Sequence, residues 1–118
     1  MTQEEKDLLL KDLCGRLPYG TMVECSIGNA AMDVVLHSAH IDEFIEQMLI
    51  VKPYLRPMSS MTEEERKEFK KAVVESQNID GISASTYVSD WLISKHFDVR
   101  NIIPKGLALE APEDMYGR

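Results

Sequence analysis

The sequence lacks long apolar runs, any C-x-x-C spacing and any excess of positive charge. Its longest uninterrupted apolar run, MLIV at 48–51, is far shorter than the about 20 residues that a membrane-spanning helix needs. Residues 1–7 are polar and acidic, whereas a secretory signal peptide begins basic and then turns apolar. These absences predict a cytoplasmic protein with no membrane association.

Cysteine and charge narrow the classes of function further. Cys14 and Cys25 are isolated in the sequence, and two lone cysteines without a leader are predicted to be buried, reduced thiols. The net charge of -7 disfavours sequence-independent binding of nucleic acid, which requires a basic surface. The most basic stretch, 63–71, has as many acidic as basic residues and reads as a solvated helix.

The 118 residues correspond to one domain, predicted to span 1–110 with a frayed tail at 111–118. Thr2 and Glu5 form a capping box that begins a first helix. Alternation over 21–27, the Gly-Asn turn signal at 28–29 and the β-branched run at 32–37 predict a β-hairpin. Residues 38–50 favour a short helix over a third strand, with Ser38 as a possible cap, and a strand is predicted at 50–55.

A second capping box, Thr62 with Glu65, follows directly on an extended segment held by Pro53 and Pro57. It begins the clearest helix in the sequence, and a further helix carries Trp91, predicted to be buried against the sheet. The predicted fold class is therefore α+β. It comprises an N-terminal helix, a small antiparallel sheet made of the hairpin and one more strand, and two to three later helices packed on that sheet.

Catalytic and cofactor motifs are scarce. There is no G-x-G-x-x-G and no Walker loop, so no nucleotide cofactor is predicted. His37 and His40 with Asp33 and Asp42 look most like metal ligands, but the sequence supplies no third histidine or cysteine nearby, and no metal site is predicted. Whether the chain is an enzyme stays open, and the sequence favours a non-catalytic role.

Five residues are the candidate binding residues: Tyr54, Arg56, His96, Asp98 and Arg100. Tyr and Arg are enriched in binding hot spots, and the two prolines pre-order the segment that carries Tyr54 and Arg56. All five lie at element ends, where functional side chains gather. The alternative is that Tyr54 and its neighbour Leu55 fill the core while Arg56 pairs with Asp98 for stability.

Several segments also carry a resemblance to a known family. They are 17–20 (LPYG), 52–62 (KPYLRPMSSMT), 90–92 (DWL), 96–100 (HFDVR) and 105–108 (KGLA). The chain resembles a family of short uncharacterised proteins from gut-dwelling anaerobic bacteria, some of them associated with phage-like or mobile elements. The resemblance implies a single intact domain and supplies no activity, cofactor or catalytic residue.

Two functions are compatible with these observations. The first is a small cytoplasmic domain that presents a patch to a protein partner and has no catalytic activity. The second is a small regulatory protein that binds nucleic acid through its last two helices. The acidic net charge weighs against this function, because nucleic-acid-binding domains are usually basic.

Overall fold

The computed structural model describes residues 1–77 and 81–116, and the side chains of 81–85 are outside the description. The described residues form four α-helices and four strands. They are α1 (Gln3–Arg16), β1 (Met22–Ile27), β2 (Ala30–Val35), α2 (Ser38–Ile45), β3 (Ile50–Leu55), α3 (Glu63–Ser76), α4 (Gly81–Ser94) and β4 (Leu109–Glu110). The predicted α+β class and the N-terminal helix are confirmed.

Helix α1 begins at the predicted capping box, in which Thr2 and Glu5 satisfy each other's backbone N–H groups. Its buried residues follow the helical repeat, and they include a charged pair beside the leucines: Leu9, Asp12, Leu13 and Arg16. The helix continues through Gly15 into a single 3₁₀ turn at Leu17–Tyr19 and stops at Gly20, whose φ of 65° suits glycine.

The hairpin forms as predicted, with β1 and β2 antiparallel and Cys25 opposite Met32. The φ angle of Gly28 is 56°, whereas that of Asn29 is not positive. This combination is typical of a two-residue turn that requires glycine at its first central position. Strand β3 pairs with the other side of β1, also antiparallel. The sheet order is β2-β1-β3-β4, and the short parallel pairing of β4 with β3 was not predicted.

Within 38–50 the structure has the short helix that the sequence favoured, α2 at Ser38–Ile45, but Ser38 is its first residue rather than its cap. The cap position is His37, whose backbone N–H donates to Nδ1 of His40 at 3.0 Å. Ile41 and Phe44 on α2 are buried. They join leucines of α1 and residues of β1 and β3 in one apolar cluster, so α1 and α2 cover the inner face of the sheet.

Helices α3 and α4 pack chiefly on each other, and their residues lie outside that main cluster. Trp91, predicted to be buried against the sheet, is instead half-buried between Phe69 of α3 and Phe97, at ring-centre distances of 5.7 and 6.5 Å. The pair of helices therefore has its own small aromatic core, which reaches the sheet through Phe97 beside the end of β3.

Two further predictions differ from the structure. Cys14 is exposed, because it points away from the buried stripe of α1, whereas Cys25 is buried as predicted. Fraying was predicted for 111–118, but over 111–116 the chain is attached to the sheet. The N–H of the buried Ala111 donates to the carbonyl of Leu55 at 2.7 Å, and Tyr116 bonds to two strands. Residues 117–118 lie outside the description.

Candidate interaction surface

The structure brings three of the five predicted binding residues together at the end of β3. The Arg56 N–H donates to the carbonyl of His96 at 2.8 Å, and the Asp98 N–H donates to the carbonyl of Arg56 at 2.9 Å. These backbone bonds explain why two segments far apart in sequence meet. They also show that the contact is part of the fold.

Arg56 is 3% exposed, and it pairs with Glu65 rather than with Asp98 as the alternative supposed. Its two terminal nitrogens donate to the two carboxylate oxygens of Glu65, each at 2.6 Å, while the guanidinium lies 4.2 Å from the ring centre of Phe97. This bidentate bond, more than any other cause, lowers the pKa of Glu65 to about 2. Since Glu65 also closes the cap of α3, Arg56 anchors that helix to the sheet.

Asp98 is also buried, and its carboxylate accepts the backbone N–H groups of Ile102 and Ile103 at 2.9 and 3.0 Å. These bonds hold the turn after Asp98 in place, and Ile102 is fully buried in the main core. Asp98 therefore stabilises a loop and has no free oxygen directed to a partner.

Arg100 donates to Asp12 at 2.7 Å, and Asp12 also receives two bonds from Arg16 at 2.7 and 3.1 Å. Asp12 and Arg16 are both 0% exposed. Arg16 donates further to the carbonyl of Phe97 at 2.8 Å, so a buried charged network joins α1 to residues 97–100.

His96 and Tyr54 complete the predicted set, and both contact the C-terminal Tyr116. The rings of His96 and Tyr116 stack with centres 3.7 Å apart, and His96 Nδ1 lies 3.2 Å from the hydroxyl of Thr21. Burial, with Arg16 and Arg56 nearby, lowers the pKa of His96 to about 4, so the ring is neutral at physiological pH. The Tyr116 hydroxyl accepts the Met22 N–H at 2.9 Å and donates to the Tyr54 carbonyl at 2.7 Å.

The five predicted residues are therefore held mainly by contacts within the molecule. Arg56 and Asp98 are buried, and only Tyr54, His96 and Arg100 keep partly exposed side chains. Sequence reasoning missed their partners Asp12, Arg16, Glu65 and Tyr116. A signal existed for two of them, because Asp12 and Arg16 continue the three- and four-residue spacing of Leu9 and Leu13.

The metal-like cluster of the sequence is divided in the structure. The rings of His37 and His40 lie 5.7 Å apart, but Asp33 is held by the hydroxyl of Tyr54 at 2.8 Å. Over 1–77 and 81–116, no group of three or more His, Cys, Asp or Glu side chains is placed to hold a metal ion.

An open apolar groove lies at the other end of the sheet, between the hairpin and α2. It has a volume of about 290 Å³ and is lined mainly by apolar side chains of β1 and β2 on one side and by α2 and the residues after it on the other. The lining includes Ile27, Met32 and Val34 of the hairpin, His40 and Glu43 of α2, and Leu49. Met32 and Ile27 are exposed here, so this part of the inner face is left largely uncovered by the described residues.

Strand β2 borders the groove and is one of the two edge strands of the sheet, and no strand within 1–77 and 81–116 pairs with its outer side. Five of its six residues are exposed, including Met32 at 65% and Val35 at 43%. Ile27, across the turn, is 62% exposed. Edge strands of folded proteins are usually protected by lysine, proline or a bulge, and β2 contains neither lysine nor proline. The sequence had indicated the hairpin but not that one strand of it would stay uncovered.

Comparison with known proteins identifies no relative: the chain matches no protein-family model, no curated protein and no solved structure. Function is therefore argued from the geometry. Within 1–77 and 81–116, no helix is long and apolar enough to cross a membrane.

Proposed function

We propose that this chain is a small cytoplasmic protein-interaction domain that docks its partner on the free edge of β2 and the adjoining groove. The observation that supports the proposal is the exposed apolar edge itself. Met32 and Ile27 are exposed beside an apolar groove, Val35 is exposed on the opposite face of β2, and an uncovered apolar patch on a folded domain is typical of an interaction site. An added strand would gain backbone hydrogen bonds from the edge and side-chain contacts from the groove.

The proposal differs in place from the patch predicted at Tyr54, Arg56, His96, Asp98 and Arg100. The buried members of that patch stabilise the fold, so their replacement would be expected to alter stability before binding. The edge of β2 is the better candidate because its exposed side chains have few contacts to lose on substitution.

The second candidate, nucleic-acid binding through α3 and α4, would require a basic face. The charged residue in the described part of α4 is Asp90, and Lys95 just beyond it lies 3.8 Å from Glu68 on α3. Charge therefore favours a protein partner, as the net charge of -7 also does.

The test uses two lysine substitutions of exposed apolar residues, Met32→Lys on β2 and Val74→Lys on α3. Val74 is 59% exposed and serves as the matched control. Tagged wild-type protein and both variants are used to capture partners from the native host, and each captured protein is then purified and its affinity measured directly.

A partner that binds wild type and Val74→Lys alike, but binds Met32→Lys at least tenfold more weakly, supports the proposal. Equal affinity for all three proteins would place the interaction elsewhere on the molecule. Circular dichroism and thermal melting check that both variants are folded.

A further inference from the structure

The backbone of β2 offers a regular set of unpaired groups along its free side. In an antiparallel pair, alternate residues direct their N–H and C=O groups towards the partner strand. The two-residue turn pairs Ile27 with Ala30, and the Leu36 N–H donates to the Thr21 carbonyl at 2.9 Å. The even-numbered residues of β2 therefore bond to β1. The N–H and C=O groups of Ala31, Asp33 and Val35 are directed outward.

The one charged side chain of β2 is drawn away from this edge. Asp33 accepts a hydrogen bond from the hydroxyl of Tyr54, which lies on β3 and so on the far side of β1. Burial and this carboxylate raise the pKa of Tyr54 to about 12, so the phenol keeps its proton and the bond persists at neutral pH. The Asp33 carboxylate is consequently directed across the sheet towards Tyr54, and it does not protect the edge from pairing with another strand.

We infer that a second copy of this chain pairs with β2, so that two sheets join edge to edge as an antiparallel, two-fold symmetric dimer. This inference rests on the proposed function and names the partner on the same surface. Symmetric dimers are by far the commonest homo-oligomers, and a two-fold interface brings one surface against itself. The joined sheet would have eight strands, with the two grooves meeting on one face.

The sequence of β2 selects the register of this pairing. If Asp33 faced its own copy, two carboxylates would lie directly opposite each other, which is unfavourable. Centring the pairing on Val34 would place much of the partner beyond Val35, where the chain leaves the sheet for α2. Centring it on Met32 pairs Ala31 with the partner's Asp33, and it keeps residues 30–34 within both strands.

In that register the two Met32 side chains lie side by side on the inner face, next to both grooves. Methionine is flexible and polarizable, which suits such a contact. Asp33 of β2, Glu24 of β1 and Lys52 of β3 occupy neighbouring positions across the sheet, so Lys52 offsets one of the two negative charges near this edge. At physiological salt, charges beyond about 8 Å are largely screened, and the net charge of -7 therefore opposes pairing only weakly.

A stable dimer sets the area that this contact has to bury. A standard interface buries about 800 Å² per partner. That is about a tenth of the 7271 Å² surface of this chain, and the exposed edge and groove supply an apolar centre for it.

The experiment measures the mass of the purified protein by sedimentation equilibrium from 1 to 200 µM. Wild type and Val74→Lys are expected to be dimers at the upper concentrations, whereas Met32→Lys is expected to dissociate at least tenfold more readily while keeping its circular dichroism spectrum. A second variant, Ala31→Pro, removes one outward N–H without touching the bonds to β1, and it should weaken the dimer in the same way.

Cysteine cross-linking tests the register. In a background with both native cysteines replaced, Cys14→Ser with Cys25→Ala, Met32→Cys should form a disulfide-linked dimer quickly, because directly opposite residues of a non-hydrogen-bonded pair have Cα atoms about 4.5 Å apart. Cys25 must be removed because it lies opposite Met32 within the same hairpin. Asp33→Cys and Val74→Cys should link at least tenfold more slowly.

A wild-type protein that stays monomeric at 200 µM overturns the inference, as does a dimer that Met32→Lys and Ala31→Pro leave intact. Neither result decides the proposed function, since a different protein could still dock on β2. The proposed function is contradicted by a different result, namely a captured partner that binds Met32→Lys as tightly as it binds wild type.

Discussion

Replacing Asp12 by Ala should remove the centre of the buried charged network. Asp12 is 0% exposed, and its carboxylate receives two bonds from the fully buried Arg16 and one from Arg100. The substitution leaves the Arg16 guanidinium buried without a countercharge. Removing one partner of a buried ion pair costs about 3–5 kcal/mol.

That loss is large compared with the total stability of the domain. The free energy of unfolding of such domains is about 5–15 kcal/mol, so Asp12→Ala should remove about a fifth of it or more. With about 2.1 cal/mol/K of unfolding entropy per residue, 118 residues give about 0.25 kcal/mol/K. A loss of about 4 kcal/mol therefore lowers the midpoint of thermal unfolding by about 16 °C.

Urea and thermal unfolding followed by circular dichroism provide the measurement. Asp42→Ala is the matched control, because Asp42 is exposed on a helix, and its stability should change by less than about 0.5 kcal/mol. Arg100→Ala should cost less than Asp12→Ala, since Asp12 then keeps Arg16. If Asp12→Ala costs under about 1 kcal/mol, water reaches the site and the network does not hold α1 in place.

Three further predictions concern other contacts. Folding lowers the pKa of Glu65 from 4.5 to about 2, so the ion pair of Arg56 and Glu65 should contribute about 3 kcal/mol to the free energy of unfolding above pH 5. This contribution is lost as the pH falls to 2, and the difference in stability between wild type and Glu65→Gln should shrink over that range. Tyr116→Phe should lower the free energy of unfolding by about 2 kcal/mol, measured in urea, because a strand N–H loses its acceptor; no change would mean that the tail is not attached in solution. Iodoacetamide should alkylate the exposed Cys14 well before Cys25, whose pKa burial raises, as read by mass spectrometry; equal rates would contradict the burial of Cys25.

Local signals in the sequence predicted local structure well. Both capping boxes, the Gly-Asn turn and the alternation of β1 act within a few residues, and each forms where it was expected. The same holds for the extended segment set by Pro53. These features depend on backbone chemistry that neighbouring residues determine by themselves.

Partners distant in sequence were not predictable in this way. The alternative to the binding patch paired Arg56 with Asp98, whereas the carboxylate partner of Arg56 is Glu65, which lies in the first turn of α3. The two-residue strand β4 carries no periodic pattern, and its pairing depends on where residues 97–107 place it. The free edge of β2 is likewise a property of the assembled sheet order, which no single segment encodes.

The buried network of α1 has a consequence for how the protein emerges during synthesis. Asp12 and Arg16 form their remaining bonds with residues 97–100, and Met22 donates to Tyr116, 94 positions later. Until those residues leave the ribosome, the charged pair of α1 and the N–H of Met22 lack these distant partners, although β2 and β3 can already pair with β1. The domain therefore completes its fold only after residues 97–116 have been synthesised, and until then the nascent segment 1–96 exposes surface that the folded domain buries.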